Sequence, residues 1–232
     1  MIKIRRSQDR GFADHGWLKS FHTFSFADYY DEKFMHYRHL RVINEDRVES
    51  GFGFDTHPHS NMEIISYVVE GALEHKDSLG IGSVIKSGDV QVMSAGTGIS
   101  HSEFNHSKHQ KVHFLQIWIV PDTKGLKPTY QQKNFTERER LNRLCLVASN
   151  APRDGALFIN QDVHLFISTL EKKQTIIYAT KENRYFWLQV IKGKLKVNTE
   201  ALLPGDAVAV EKETKLEIHA EELSEFLLFD LS

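Results

Sequence analysis

Two tripeptides hold the side chains best suited to chemistry: His57-Pro58-His59 and His101-Ser102-Glu103. Residues at i and i+2 of a β-strand face the same way. Each tripeptide on a strand therefore aims two donors in one direction, and neighbouring strands would bring four donors to one point. Imidazole nitrogen with carboxylate oxygen suits Fe(II), Ni, Co, Cu, Mn or Zn. Three histidines and one glutamate leave one or two positions open on a five- or six-coordinate ion, and an open position marks a catalytic rather than a structural site. Glu63 also lies an even step from His59, so strand parity alone does not choose between Glu63 and Glu103 as the carboxylate.

The first pair by itself decides nothing. With 13 histidines in 232 residues, chance supplies about 0.7 His-x-His pairs. Distribution adds more: beyond residue 120 only His164 and His219 remain, so a shared role for the histidines belongs to the N-terminal half. The other candidates take plainer readings. His15 and His22 are expected to face the core or bond a turn, and His75, His106 and His109 to be solvated in polar loops. His113 should pack within an apolar strand, and Trp17, Phe21, Phe24 and Phe26 should be core. Gly96-Thr97-Gly98 lacks the lysine and helix of a phosphate loop. It reads as a turn that lets the backbone approach the metal site.

The elements that must position these residues are strands. Runs such as LRVINEDRV, EIISYVVEG, KVHFLQIWIV, RYFWLQVIKG and EFLLFDL recur between Gly, Asp and Asn punctuation, which predicts a sandwich or barrel. Residues 121–143 break this texture. They are polar, open with a proline, and carry Thr136 and Glu139 at capping-box spacing for a short helix. An internal repeat flanks them. YVVEGALEH at 67–75 resembles LQVIKGKLKV at 188–197, and KSGDVQVM at 86–93 resembles LPGDAVAV at 203–210. The separation is 122 residues from Gly71 to Gly193 and 117 from Gly88 to Gly205, a drift that hairpin loops of unequal length would produce. The expected organisation is all-β, with two barrels in tandem at 1–134 and 143–232 joined by the short helix.

Composition sets the outer bounds. The chain is 41% hydrophobic and 26% charged with a net charge of -2, which gives no support for a nucleic-acid or membrane partner. No apolar run approaches the ~20 residues of a membrane span. The N-terminus MIKIRRSQDRG has no apolar segment behind its charges, and Cys145 is the one cysteine; a cytoplasmic protein is expected.

The motifs resemble those of cupins. Gly51, His57, His59, Glu63 and Gly71 follow the first cupin motif with one extra residue before the last glycine. Gly88, Gly96, His101 and Asn105 follow the second, with Ser94 in place of its proline and two extra residues before the histidine. Within that group, HGWLKSFHTFSFADYYD (15–31), THPHSNMEIISYVVEG (56–71), MSAGTGISHSEFN (93–105) and LQIWIVP (115–121) resemble the pirins and span nearly the whole chain. The resemblance implies two jelly-roll cupin barrels, with one divalent metal, usually iron, in the N-terminal barrel only. It implies His57, His59, His101 and Glu103 as ligands, in place of the Glu63 that many other cupins would use. Glu63 is then expected to hydrogen-bond a ligand. By the repeat, Ala179, Lys181 and Tyr185 fall where the first barrel has His57, His59 and Glu63, and His219 falls near the His101 position.

The implied activity is quercetin 2,3-dioxygenase: O2 opens the central ring of a flavonol-like aromatic enol with loss of carbon monoxide. Glu103 would be both ligand and general base for the enol proton. The alternative is a non-enzymatic, redox-sensing regulator acting through a protein partner without direct nucleic-acid contact. A storage-type bicupin ranks last, since such proteins have generally lost the ligand set retained here. A monomer is expected.

Overall fold

Short alternating runs become strands almost throughout, and the only α-helical segment among the described residues is Glu137–Arg140. The structure is a computed structural model that describes residues 2–232. The backbone amide and hydroxyl of Thr136 both donate to the Glu139 carboxylate at 2.7 Å, so the capping pair read from the sequence does start this helix. Among the described residues no helix is long and apolar enough to cross a membrane.

The chain divides into two units. The N-terminal unit comprises Gly11–Asn134 and Leu157–Gln161. One antiparallel sheet runs in the order Thr129–Asn134, Asp89–Ser94, Glu63–Glu70, Val112–Ile119, Leu40–Val48, Leu18–His22, Gly11–Asp14. A second runs Gly53–His59, Ile99–Asn105, Ala72–Asp77, Gly82–Lys86. Leu18, Val48, Val68 and Phe114 of the first meet Leu73 and Ile85 of the second in a buried cluster. Two sheets each buried on one face is the jelly-roll solution. Thr129–Asn134, read from its polar composition as part of a connection, is an edge strand paired with Asp89–Ser94. Edge strands with one wet face need no apolar alternation.

The C-terminal unit comprises residues 2–10, 135–156 and 162–232. Its larger sheet includes, in order, Ile2–Arg5, Ala207–Glu211, Tyr185–Lys192, Ser224–Leu231, Val163–Leu170 and Cys145–Ser149. Its smaller sheet runs Thr175–Ala179, Lys215–Ala220, Leu195–Val197, Glu200–Leu202. The strand order repeats that of the N-terminal unit, so the fold is a bicupin. The units are less contiguous than boundaries at 134 and 143. Ile2–Arg5 pairs with residues 207–210, and Asp206 accepts from the Ser7 amide and the Arg6 guanidinium. In the other direction, Asn160 donates to Glu63 and Gln161 to the Val120 carbonyl.

Register also corrects the repeat alignment. Gly71 and Gly193 occupy equivalent hairpins, after which Leu73 pairs with Asn105 and Leu195 with Ala220. Counting back, Leu216 is the counterpart of His101 and Ile218 of Glu103, while His219 matches Phe104. The shorter loops between these strands in the C-terminal unit produce the slip. Leu216 and Ile218 are fully buried aliphatics, which offer no donor to an ion.

One glycine is needed for the sheet that carries the candidate ligands. A Cβ on Gly53 would land on the Glu103 carbonyl and the backbone and ring of Phe104. Gly53→Ala is expected to lower unfolding free energy by about 1–3 kcal/mol, measurable by denaturant titration.

Candidate metal centre

Gly53–His59 and Ile99–Asn105 are neighbours, with His101 paired to His57 and Ile99 to His59. The two tripeptides therefore sit side by side, as strand parity requires for convergence. His57, His59 and His101 each offer a nitrogen, and these three atoms lie within 4.8 Å of one another. Their ring centroids are 4.5–4.9 Å apart. His101 and Glu103 are 1% exposed. His75, His101 and Glu103 form a second set of donors, also within 4.8 Å of one another and sharing His101 with the first.

The ring nitrogens are already sorted. His57 Nδ1 lies 2.7 Å from the Asp55 carbonyl, to which it can only donate. The His57 Nε2 lone pair is thereby left for another partner. His59 Nε2 and His101 Nε2 are buried and have no hydrogen-bond partner. Orphaned buried nitrogens are costly, and beside a third imidazole they fit a divalent cation. Burial, reinforced by the neighbouring imidazoles, pushes the His59 pKa down to about 4 and that of His101 down to about 3. Both are neutral at physiological pH, the state a ligand requires.

Behind His101 lies a relay that the sequence reading missed. His75 is fully buried, not solvated. Its Nε2 is 2.9 Å from Asp77 Oδ2, and its Nδ1 is 3.4 Å from His101 Nδ1. With His75 Nε2–H donating to the carboxylate, His75 Nδ1 accepts from His101 Nδ1–H, and the His101 Nε2 lone pair points elsewhere. Gln91 also reaches His75 Nδ1, at 3.4 Å. The signal was present in the alternation of Ala72–Asp77, where Leu73, His75 and Asp77 share a face with the core. His106 and His109 are exposed as expected.

Glu103 is held from the opposite sheet. Its Oε1 accepts from the Ser66 hydroxyl at 3.2 Å and its Oε2 from Gln116 Nε2 at 2.8 Å. Glu63 is placed differently: it accepts from Ser94 at 2.8 Å and from the Asn160 amide at 3.1 Å. Its recorded partners include no member of the histidine cluster. The Gly96 turn makes room for the Leu126 carbonyl, against which any Cβ would collide.

His57, His59 and Glu103 form part of the wall of a cavity of about 660 Å3, within the range of small-molecule sites. Trp17, Phe26, Phe54 and Trp118 line it. Trp17 and Phe26, expected in the core, are half-buried because they face this space; Phe24 is core at 1% exposure. His22 is buried at 4%, whereas His15 is exposed at the cavity wall. His113 packs as expected, 3.1 Å from Glu45. Asp46 also lines the cavity, and burial, with Glu103 and Glu45 nearby, pushes its carboxyl up to about 7.

Two measurements test this geometry. His75→Phe removes the relay while keeping the bulk, and should weaken metal affinity about 10–100-fold in a chelator competition. Asp46→Asn tests the buried carboxyl. Between its unfolded value of 3.8 and its folded value of about 7, wild-type folding takes up a proton, so stability falls as pH rises through that window. The melting-temperature advantage of Asp46→Asn should therefore grow from pH 4 to pH 8.

Known proteins resemble this chain through both of its halves. Residues 3–119 match the family model described as Pirin, and residues 146–231 match that described as Quercetinase C-terminal cupin domain. A protein of Escherichia coli (strain K12) named quercetin 2,3-dioxygenase is 46% identical over 231 residues, covering 100% of this chain and 99% of its own. A pirin-like protein of Caulobacter vibrioides is 41% identical over 231 residues, covering 99% of each. The crystal structure of the bacterial pirin YhhW of Escherichia coli in complex with nickel(II) superposes with a TM-score of 0.95 at 45% identity, covering 100% of this chain and 99% of that one. The match runs through both halves and, in these relatives, along the whole length: the chain belongs to the pirin family.

Proposed function

We propose that this protein is a metal-dependent dioxygenase that acts on flavonol-like aromatic enols, with quercetin 2,3-dioxygenase activity. The observation that carries the reading is a cluster of three imidazoles, two with orphaned Nε2 atoms, beside a buried carboxylate at an aromatic cavity whose wall includes His57, His59 and Glu103. His57, His59, His101 and Glu103 would hold the ion, with iron(II) favoured and nickel among the alternatives. Bound there, a divalent transition metal supplies Lewis-acid and one-electron redox chemistry. The apolar Leu216 and Ile218 at the positions of His101 and Glu103 argue for one such centre per chain.

The residues around the centre have separable tasks. Trp17, Phe26, Phe54 and Trp118 take the flat rings of the substrate and exclude water. Glu103 takes the enol proton as general base. Its carboxylate is held by Ser66 and Gln116, so it needs little reorganisation to receive that proton. His75 and Asp77 keep the His101 tautomer fixed while charge changes at the centre. The overall reaction consumes one O2, opens the central ring and releases one carbon as carbon monoxide. The single cysteine fits a reducing cytoplasm.

The test is oxygen uptake with carbon monoxide release on quercetin, using protein analysed for metal after purification without added metal. Turnover is expected in the wild type, and Glu103→Gln should retain metal yet lose about 10²–10⁴-fold in kcat. Metal-loaded protein that turns over no flavonol would overturn the enzymatic reading and leave a redox-responsive binding module. Glu103→Ala that loses metal but keeps turnover would remove the base.

A further inference from the structure

A polar row crosses the concave face of the larger N-terminal sheet. Register places His22 beside Asn44, Asn44 beside Gln116, Gln116 beside Ser66, and Ser66 beside Gln91. One step along Leu40–Val48, Asp46 faces the same way, paired with Ser20 and Phe114. Ser66 and Gln116 are committed to Glu103. Asn44 is not, and Asp46 takes only the Ser20 hydroxyl. Asn44 and Asp46 are each 4% exposed, and Oδ1 of each is buried without a hydrogen-bond partner. Both line the 660 Å3 cavity. Trp118 Nε1, also on that wall, is likewise buried and unpartnered.

Such atoms are costly in a free protein. A buried acceptor without a donor costs about 1–3 kcal/mol, and buried polar groups are paired in the great majority of cases. Two acceptors and one indole N–H beside the candidate metal centre, among aromatic rings, have the form of a site that binds through hydroxyl groups. Aromatic walls accept flat rings without regard to substituents. Selectivity must come from the few polar atoms they surround.

We propose that Asn44 and Asp46 form a hydroxyl-recognition subsite that accepts hydrogen bonds from ring hydroxyls of the substrate other than the enol, so that the cavity selects polyhydroxylated aromatic enols over unsubstituted ones. Trp118 Nε1–H donates to an oxygen of the same ligand. This deepens the dioxygenase reading and rests on it for the identity of the ligand class. The selection follows from pairing: a ligand without ring hydroxyls leaves both acceptors buried and bare, and a site built to pair a hydroxyl rejects the analogue lacking it.

The experiment measures dissociation constants of quercetin and of 3-hydroxyflavone on metal-loaded protein without O2. The two share the enol and differ in the ring hydroxyls. Wild type is expected to favour quercetin by at least about tenfold. Asn44→Leu and Asp46→Leu are close in shape and remove the acceptor, and each should cut that ratio about tenfold. Asp46→Asn keeps an acceptor oxygen and should hold the ratio within about threefold of wild type; melting curves confirm that each variant is folded. A wild-type ratio near one, a ratio unchanged in both leucine variants, or no binding of either compound overturns the subsite. Oxygen uptake is scored separately. Absence of turnover with the ratio intact sinks the dioxygenase reading and leaves the subsite standing.

Discussion

Crowding of three imidazoles sets the terms for everything near them. With ring centroids 4.5–4.9 Å apart, protonation would place like charges together where water screens them poorly. Burial, reinforced by that crowding, keeps His59 and His101 neutral, and a neutral imidazole must divide its two nitrogens into one donor and one acceptor. The fold settles that division locally. A backbone carbonyl takes the His57 hydrogen, and the buried His75–Asp77 pair takes that of His101. The acceptors that remain are aimed at one another, an arrangement that makes sense only if something electrophilic is to be shared among them.

The cost of this centre becomes visible against the other half of the chain. Counting five residues back from the hairpin glycines, Ser66 corresponds to Leu188, and the strand pairings carry the match across the sheet. Gln91, Gln116 and Asn44 then correspond to Val208, Leu228 and Phe166. All four C-terminal residues belong to one buried apolar cluster with Leu216 and Ile218. The same topology thus exists once with its concave face filled by aliphatic and aromatic side chains, and once with that face polar around a cavity. The filled copy gains the hydrophobic burial and close packing that the hollow one forgoes.

Much of this was legible in the residues alone. Two His-x-(His or Glu) steps at strand spacing gave the convergence of His57, His59 and His101, and the paired Gly-Asp turns gave the duplicated architecture. What escaped has common causes. His75 and Asp77 sit in a run of charged and polar letters, ALEHKD, whose alternation is easily taken for a solvated loop. Asn44 and Asp46 lie in LRVINEDRV, where the strand is plain but nothing local says that its polar letters face inward. Ile2–Arg5 and Thr129–Asn134 are edge strands, whose partners lie far away in sequence. The slip that moved His219 off the His101 position came from loop shortening, which motif matching does not count.

One irregularity sits at the centre of the site. Between Phe54 and His57 the strand carries a bulge: His57 pairs with His101 and Phe54 with Glu103, so two residues oppose the single Ser102. Asp55 and Thr56 both turn outward, and Phe54 shares a face with His57 although their separation is odd. The bulge absorbs that extra residue and so keeps Phe54 and the histidine pair on the same side, lining the cavity, and Asp55 supplies the carbonyl that orients the first imidazole. Pleated regularly with both Asp55 and Thr56 kept in the ladder, the strand would turn Phe54 to the face opposite His57 and His59.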